Sequence, residues 1–361
     1  MNTNHYAVIM AGGVGSRFWP MSTEELPKQF LDILGTGQSL VQKTYTRLQN
    51  IIPTENIFIA TNKKYKNQIL EQIPHLDKDK LFLEPEMKNT APCILATTLK
   101  IYSKNPKALI TVAPSDHWIE NESLFCKHVI ESLYACSKDR IIMTLGVKPN
   151  EPNTGYGYIE FNNKDSSEIK KVLNFKEKPD LEKAKKFISK GNYLWNSGVF
   201  IWSAKTILDA FEKYLPDMYN ALKFDDSIWY TKDEQQYLET IFRKIKNISI
   251  DFAIIEQTDN VFVLPVDIGW NDLGTWNSLY HSKNEKDENK NLTLEGNSYF
   301  RDDAKGNIVK IEKHKKIIIQ GLSNFIIAES NDVLMICPRK DEQDIKNIAA
   351  DTKKYFGKND K

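Results

Sequence analysis

The sequence YAVIMAGGVGSRFWPMSTEELPKQF, residues 6–30, joins an apolar run to a glycine-rich loop that carries two cations. The run Tyr6–Met10 is typical of a buried strand, because it is short, apolar and followed at once by turn residues. In the loop, glycines let backbone N–H groups approach an anion closely, and Arg17 and Lys28 add charge that suits phosphate oxygens. We therefore predict a strand that ends in a polyphosphate site.

The loop departs from both common phosphate-binding fingerprints. A dinucleotide motif would have its third glycine where Phe18 stands, and a Walker motif needs a Gly-Lys-Ser or Gly-Lys-Thr that the loop lacks. These departures argue against a dinucleotide site and against a kinase-like P-loop. Two solvated surface charges on an ordinary strand-to-helix turn remain the alternative interpretation.

The whole chain has 361 residues, with 49 Lys and Arg against 48 Asp and Glu, which gives a formal net charge of +1. No global field therefore attracts nucleic acid or a membrane surface as a partner. No apolar run approaches the roughly 20 residues of a membrane span, and the four cysteines show no disulfide or metal spacing. We expect a soluble, cytoplasmic protein.

Strand and helix patterns alternate through the first half, which predicts an α/β, Rossmann-like fold with a mixed, mostly parallel sheet. Ser39 is the predicted cap of one helix, and Thr90 precedes another. From about Glu151, aromatic-rich strands and lysine-rich helices are expected to continue the sheet and to build one wall of a cleft. The strand candidates of the first half are Tyr6–Met10, Ile57–Ala60, Leu81–Leu83, Leu109–Ala113 and Ile141–Leu145.

The polar segment HSKNEKDENKNLT, residues 281–293, is typical of a linker. We predict a catalytic domain of residues 1–285 and a C-terminal domain of residues 286–361. The second domain is predicted to be small and all-β, like a short β-helix, and to close with a helix from about Asp341 to Tyr355. Its strand candidates are Ser298–Arg301, Asn307–Glu312, Lys316–Gln320, Phe325–Ala328 and Val333–Cys337.

Two aspartates stand where metal ligands are expected. Asp116 follows the buried strand of LITVAPSDHWI, residues 109–119, and ligands of open α/β sheets bind beyond the carboxyl ends of strands. Asp272 in GWNDLGTW, residues 269–276, offers a second carboxylate, with Asp267 as its rival. Mg²⁺ accepts one or two protein carboxylates beside substrate phosphates. Capping a following helix is the alternative role of each aspartate.

A sugar phosphate would suit two further stretches. FKEKPD, residues 175–180, places Glu177 and Lys178 at a strand end, where a bend before Pro179 is needed to turn both side chains toward one ligand. A carboxylate suits sugar hydroxyls, and an ammonium suits a phosphate. WNSGVF places the polar Asn196 among aromatic residues. Solvated surface is the alternative for the Glu-Lys pair.

Three other signals carry less weight. The D-x-D at residues 77–79 matches metal-dependent glycosyltransferases, but its flanking lysines favour a solvated turn. His117 has no pattern of a nucleophile or an orienting partner around it, so we predict a supporting role. Asp251 and Glu256 in SIDFAIIEQ receive no predicted role.

Seven motifs in this order resemble the nucleotidyltransferases that make nucleotide sugars, and most closely the bacterial mannose-1-phosphate guanylyltransferases. The resemblance covers residues 6 to about 282. It implies a nucleotidyltransferase domain, a Mg²⁺ cofactor, and the reaction of GTP with α-D-mannose 1-phosphate to give GDP-mannose and diphosphate. The motifs are AGGVGSRFWPMS with PKQF, EPEMKNTAP, VAPSDHWI, GVKPNEPNTGYGYI, FKEKPD, WNSGVFIW and GWNDLGTW.

The resemblance also implies the roles of individual residues. Those that match catalytic positions are Arg17, Lys28, Asp116 and Asp272, with the two aspartates as Mg²⁺ ligands. Those that match nucleotide contacts are Gly12, Gly13, Gly15, Arg17, Lys28, Glu84, Pro85, Asn89, Thr90 and Asp116. Those that match sugar-phosphate contacts are Gly155, Glu177, Lys178 and Asn196.

Further expectations follow from the same resemblance. The family's short β appendage often takes part in dimer formation, which implies a homodimer. Longer relatives carry a cupin-type isomerase module, and the sequence ends at Lys361 without one, so we expect a monofunctional enzyme. The alternatives are another sugar 1-phosphate, such as that of heptose or glucose, a catalytically silent nucleotide-sugar sensor, and glycosyl transfer. All four catalytic residues are present, which argues against the sensor.

Overall fold

A computed structural model describes residues 1–13, 15–164, 166–223 and 226–357 of the chain. The chain divides into two compact units, each made of several segments. Unit 1 comprises Met1–Gly12, Thr44–Ser115 and Ile119–Trp270. Unit 2 comprises Gly13–Lys43, Asp116–Trp118 and Asn271–Lys361. The domain boundary between residues 285 and 286 stays a prediction.

The strands are β1 (His5–Met10), β2 (Ile57–Asn62), β3 (Leu81–Glu84), β4 (Leu109–Pro114), β5 (Trp118–Ile119), β6 (Ile142–Val147), β7 (Tyr158–Phe161), β8 (Lys170–Lys176), β9 (Tyr193–Ser203), β10 (Val261–Val266), β11 (Trp270–Asn271), β12 (Leu292–Glu295), β13 (Asn297–Phe300), β14 (Ile308–Lys310), β15 (Lys316–Ile319), β16 (Phe325–Ser330) and β17 (Val333–Pro338). The α-helices are α1 (Leu40–Gln49), α2 (Lys66–Gln72), α3 (Thr90–Lys104), α4 (Glu122–Lys138), α5 (Leu181–Lys190), α6 (Ala204–Tyr214), α7 (Pro216–Leu222), α8 (Glu234–Phe242), α9 (Trp276–Ser282) and α10 (Ile345–Phe356). The strands predicted in the first half are confirmed, with small shifts at their ends.

The sheet of unit 1 has the order β3-β2-β1-β4-β9-β6-β10-β8-β7 among the described residues. β1 is parallel to β2 and β4, and Met10 lies opposite Ala60 and Pro114. β9 is antiparallel to β4 and β6, and β8 is antiparallel to β10. Of these described strands, only β8 and β9 therefore run against the common direction. The predicted mixed, mostly parallel α/β sheet is confirmed.

The strand order reverses at β1, because the chain adds β2 and β3 on one side and then returns to form β4 on the other. In open α/β sheets, ligands bind outside the carboxyl ends of the strands at such a reversal. The Ser115 amide donates to the Met10 carbonyl at 3.1 Å. The residues that follow β1 and β4 therefore start side by side.

Local capping explains where two of the helices begin. The Ser39 hydroxyl accepts from the Gln42 amide at 3.3 Å, and the Gln42 side chain accepts from the Ser39 amide at 2.9 Å, which is a capping box for α1. The predicted Ser39 cap is confirmed. Helix α3 begins at Thr90, and its cap is Asn89, whose φ is 67° and whose side chain accepts from the Thr90 amide.

The C-terminal part of unit 2 is β-rich, as predicted. Leu292, Ile308 and Ile326 stack in register on the parallel strands β12, β14 and β16, and β17 adds antiparallel to β16. β13 and β15 form a second parallel pair. The three stacked residues are buried in one core with Phe18 and Trp276. Short parallel stacks of this kind are the arrangement of a β-helix.

The polar composition of residues 281–293 hides a strand. Leu292 and Thr293 begin β12, and Leu292 is 1% exposed. The side-chain oxygen of Asn291 accepts from the backbone amide and the side-chain amide of Asn307, both at 3.0 Å. At the end of this polar stretch, the strand is held by the buried Leu292 and by the asparagine pair. The predicted terminal helix is confirmed as α10, which starts four residues later than expected.

Candidate functional site

The glycine-rich loop after β1 is held by its own hydrogen bonds. Gly15 has a φ of 61°, and a Cβ there would collide with the Cβ of Lys28, so the position requires glycine. The Ser22 hydroxyl donates to the Gly15 carbonyl at 2.6 Å, and the Gln29 side chain donates to the Gly13 carbonyl at 2.9 Å. The carbonyl groups of Gly13 and Gly15 are therefore held by side chains from the same unit, and Gly15 packs against Lys28.

Lys28 of unit 2 is a buried cation, and it is only 4% exposed. Its Nζ contacts the Asp116 carboxylate at 2.9 Å and donates to the carbonyl oxygens of Asp272 at 2.8 Å and Leu273 at 3.0 Å. An ammonium has three N–H donors, and each finds an acceptor here. We call these four residues the Lys28 junction. It unites three stretches that the sequence singles out separately.

The electrostatics of the junction favour an ionised Asp116. Burial by itself would raise the pKa of this carboxyl, but the charges of Lys28 and His117 and the hydrogen bond from Lys28 outweigh it and hold the pKa below its ordinary value. His117 Nε2 lies 4.0 Å from the second carboxylate oxygen. The imidazole thus supports Asp116, in line with its predicted supporting role.

Asp272 is not the cap of α9. Its carboxylate accepts from the Gly274 amide at 2.9 Å. The helix is capped instead by Thr275, whose side chain accepts from the Ser278 amide, while the Ser278 side chain accepts from the Thr275 amide. The capping alternative is therefore wrong for Asp272, and likewise for Asp116, because the cap of α4 is Asn121.

Gly13 and Arg17 of the loop are open to solvent. Arg17 is exposed in a short 3-10 turn, while its neighbour Phe18 is fully buried with its ring 5.1 Å from that of Trp276. A Cβ at Gly13 would meet nothing within 4 Å. Phe18 thus anchors the loop, and Arg17 and the Gly13 backbone face open space.

Glu84, a predicted nucleotide contact, has a strongly raised pKa. It ends β3 in unit 1 and is 5% exposed, and burial raises its pKa to about 8 against an opposing hydrogen bond from the Cys93 thiol. Its Oε1 has no hydrogen-bond partner among the described residues. A Cβ on Gly12 would stand 3.7 Å from its Oε2. A buried carboxyl with an unused oxygen thus lies beside the Gly12 backbone.

The other residues of this segment have structural contacts. Asn89 caps α3, and the Thr90 hydroxyl accepts from the Ile250 amide at 2.8 Å. Pro85 is half-buried directly after Glu84. These contacts link the predicted nucleobase segment to the chain around Ile250.

Glu177 and Lys178 are turned toward each other at the end of β8. Lys178 has a φ of 44°, and its amide donates to the Tyr156 carbonyl at 3.2 Å. Its Nζ contacts the Glu177 carboxylate at 2.8 Å. The Glu177 side chain is 11% exposed, whereas that of Lys178 is 63% exposed. The bend that the sequence requires before Pro179 is confirmed.

Gly157 is a site residue that the sequence motif hides. A Cβ there would lie 2.5 Å from the Glu177 carboxylate and 3.3 Å from the Cβ of Asn196, so glycine lets these side chains approach the backbone. The backbone N–H of Asn196 also donates to the Gly157 carbonyl at 2.8 Å. The predicted contact Gly155 is exposed and bonds to the Asn153 side chain. The local sequence NTGYGY does not separate Gly157 from Gly155, because the contacts of Gly157 come from other parts of the chain.

Asp251 and Glu256, which the sequence leaves without a role, contact the sugar-side residues. The Asn196 side chain donates to Asp251 at 3.3 Å, and the Glu177 amide donates to Glu256 at 3.2 Å. Burial and the nearby Glu177 charge raise the pKa of Asp251 to about 7. These contacts join residues more than 50 positions apart, which local patterns do not report.

The weaker sequence signals behave as predicted. Asp77 caps a short 3-10 turn by accepting from the Asp79 amide at 3.0 Å, so the D-x-D is a local turn. Across the described residues, no cluster of three or more His, Cys, Asp or Glu side chains could hold a metal ion by itself. None of the helices described is both long and apolar enough to cross a membrane.

Comparisons with known proteins find clear similarities. The Nucleotidyl transferase family profile matches residues 6–289. The mannose-1-phosphate guanylyltransferase of Escherichia coli is 34% identical over 358 residues, which cover 94% of this chain and 74% of that protein. The alginate biosynthesis protein AlgA of Pseudomonas syringae pv. tomato is 33% identical, over 95% of this chain and 71% of that protein. A solved structure described as mannose-1-phosphate geranyltransferase from Thermus thermophilus has a TM-score of 0.87 at 27% identity, over 97% of this chain and 99% of that one.

Proposed function

Since the chain belongs to the nucleotidyl transferase family, we propose that it is a mannose-1-phosphate guanylyltransferase that converts GTP and α-D-mannose 1-phosphate into GDP-mannose and diphosphate. The chain is a nucleotidyltransferase, and its relatives support transfer of a nucleotidyl group to a sugar phosphate. The observation that carries the chemistry is the Lys28 junction. Diphosphate release that requires both substrates tests the proposal.

The chemistry needs positioning and charge neutralisation more than a protein nucleophile. A sugar phosphate is already an anion at neutral pH, so its oxygen attacks the α-phosphorus of GTP without a general base. A new P–O bond forms as the bond from the α-phosphorus to the β-phosphate oxygen breaks, and diphosphate leaves. Lys28 and Arg17 offset the negative charge of the reacting phosphates, and the glycines of the loop offer backbone N–H groups to the triphosphate.

The residues of the junction fit a Mg²⁺ ion. Asp116 is held ionised, and Asp272 adds a second carboxylate on the stretch whose backbone carbonyls bind the same ammonium. Two carboxylates with substrate phosphate oxygens are the hard donor set that Mg²⁺ takes. When bound by Asp116 and Asp272, the ion would supply charge neutralisation at the phosphates. Lys28 keeps both aspartate stretches in place for this purpose.

For the sugar phosphate, we assign the residues at the ends of β8 and within β9. The Glu177 carboxylate and the Asn196 amide suit sugar hydroxyls, and the exposed ammonium of Lys178 suits the phosphate. Gly157 brings the backbone close to Glu177 and Asn196, and the exposed Gly155 is assigned to the sugar phosphate by its place in the same motif. These assignments place an anion binder and hydroxyl binders within one small group of unit 1.

Glu84 accounts for the choice of guanine in this proposal. Guanine presents two adjacent donors, N1–H and the N2 amino group, which favour release of the Glu84 proton when the base binds, and the resulting carboxylate accepts from both. Adenine offers no such pair. The buried Glu84 has an Oε1 without a partner among the described residues, and it lies beside the Gly12 backbone. A buried carboxyl oxygen without a hydrogen-bond partner costs stability unless a ligand uses it. Pro85, Asn89 and Thr90 complete the proposed base segment.

Changing Glu84 to glutamine is expected to lower the preference for GTP over ATP by about tenfold or more. The amide keeps the size of the side chain but replaces one acceptor with a donor, so it no longer matches the two donors of guanine. The measurement is kcat/KM for both nucleotides with mannose 1-phosphate. Glu86→Gln is the matched control, because Glu86 is an exposed neighbour paired with Lys88. An unchanged preference in Glu84→Gln would refute the assignment.

The raised pKa of Glu84 adds a check on folding. Between the ordinary pKa of 4.5 and about 8, the unfolded chain has released this proton while the folded chain keeps it. Stability therefore falls as pH rises through this window. The glutamine variant lacks this loss, so its free energy of unfolding should rise relative to that of the parent protein between pH 5 and pH 8.

We also propose that the enzyme is a cytoplasmic homodimer that associates through its C-terminal strands. Tyr299 and Ile318 stand opposite each other on β13 and β15, and they are 62% and 73% exposed. Leu334 and Ile336 on β17 are each 53% exposed. Exposed apolar side chains in such groups favour association, and light scattering of the purified protein measures it.

A further inference from the structure

The segment Ser249–Gln257 contains a π-helical turn, Asp251–Ile255, which is a rare conformation often found at functional sites. Asp251, the first residue of the turn, accepts a hydrogen bond from the Asn196 side chain. Glu256, which directly follows the turn, accepts one from the Glu177 backbone amide. Both targets belong to the proposed sugar-phosphate group. One short segment thus braces two residues of the same group.

The orientation of the Asn196 amide is determined on both ends. Its oxygen accepts from the Gly198 amide at 3.1 Å and lies 3.2 Å from the Thr144 hydroxyl. Since a backbone N–H can only donate, that side of the amide must be the oxygen. The nitrogen donates to Asp251 Oδ1 at 3.3 Å. Asp251 uses one of two N–H groups, and the amide plane then decides where the other points.

Asp251 is buried close to the carboxylate of Glu177, and ionising both groups there is unfavourable. It is faced by Glu177 and Lys178, and the Ser249 hydroxyl bonds to it. Burial and the charge of Glu177 together raise its pKa to about 7. Two carboxyl groups close together in a buried position cost stability, and such pairs are common at functional sites. The hydrogen bond from the Asn196 side chain indicates what Asp251 does there.

We propose that Asp251 is a positioning residue for the sugar phosphate, which acts by fixing the side-chain amide of Asn196 while Glu256 fixes the backbone of Glu177. The inference rests on the proposed function, since it assigns the second N–H of Asn196 to a sugar hydroxyl. Asp251 itself does not touch the substrate in this arrangement. Removing it leaves the Asn196 oxygen bound to Gly198 and Thr144 but takes away the contact that fixes the nitrogen end of the side-chain amide.

A double-mutant cycle tests this role. Asp251→Ala is expected to raise the KM for mannose 1-phosphate about tenfold, as loss of one ordered hydrogen bond would, with the KM for GTP changed less than about twofold. In the Asn196→Ala background, the same change should alter the KM for mannose 1-phosphate less than about twofold, because the amide it positions is gone. Asp251→Asn keeps an acceptor for Asn196 and should restore most of the affinity.

The controls separate positioning from folding. Phe252→Ala changes the exposed neighbour on the same turn, 48% exposed, and should leave both KM values unchanged. An equal effect of Asp251→Ala in both backgrounds, or a parallel rise in both KM values, would overturn the positioning role. An unaltered KM in an active Asp251→Ala enzyme would do the same without touching the proposed function. A parent protein inactive with every substrate pair would overturn both.

Discussion

Lys28→Met is expected to lower turnover at saturating GTP and mannose 1-phosphate by about 10²-fold or more, because it removes the buried ammonium from the reacting phosphates. Methionine keeps most of the packing but donates to none of the three acceptors that Lys28 now contacts. Initial rates of diphosphate release, corrected for the folded fraction, measure the effect.

Stability must be measured in the same variant. The change leaves the Asp116 carboxylate and two backbone carbonyls without their donor, which costs about 1–3 kcal/mol. Lys43→Ala is the matched control, because Lys43 carries the same charge in the same segment and lies over the Trp118 ring. Near-normal turnover in Lys28→Met would remove Lys28 from the chemistry.

Asp116→Asn is expected to lower turnover by about 10²-fold or more while the protein stays folded. Asparagine keeps the size of the side chain and can still accept from Lys28, so the junction retains its shape and loses one negative charge. A metal ion would then have a single carboxylate left, that of Asp272. Steady-state kinetics over a range of Mg²⁺ concentrations measure the loss.

The control for this variant is Asp267→Asn, because Asp267 is an exposed aspartate in the same stretch of sequence as Asp272. Its turnover should match that of the parent protein. Asp116 also affects folding, since its pKa in the folded state is lowered. That contribution is present above the ordinary pKa of an aspartate and is lost as pH falls through the lowered value. The asparagine variant should lack it, and equal turnover in Asp116→Asn and Asp267→Asn would refute the catalytic role.

Local patterns carry most of the fold. Tyr6–Met10 and Leu109–Ala113 are recognised as buried strands because apolar runs bounded by turn residues have few other uses. Ser39 is recognised as a cap by its position before a periodic apolar pattern. By contrast, β12 follows a polar stretch and offers only Leu292 and the half-buried Leu294 to the core, so the strand depends on partners that are distant in the sequence.

In the candidate site too, some residues are recognised from the sequence, whereas their contacts are not. Arg17, Lys28, Asp116 and Asp272 stand out as charges placed at strand ends and loops. What the sequence does not report is that one ammonium joins these stretches, since Lys28 and Asp272 are 244 positions apart. The contacts of Gly157, Asp251 and Glu256 are missing for the same reason. A hydrogen bond between distant segments leaves no periodicity or spacing in the chain.

The central claim is tested most directly by diphosphate release from a grid of substrates. GTP, ATP, UTP and CTP are each combined with mannose, glucose or heptose 1-phosphate in the presence of Mg²⁺. We predict that release requires both substrates and is fastest, by about tenfold or more, with GTP and mannose 1-phosphate. Silence across the whole grid, or release at the same rate without a sugar phosphate, would contradict the account.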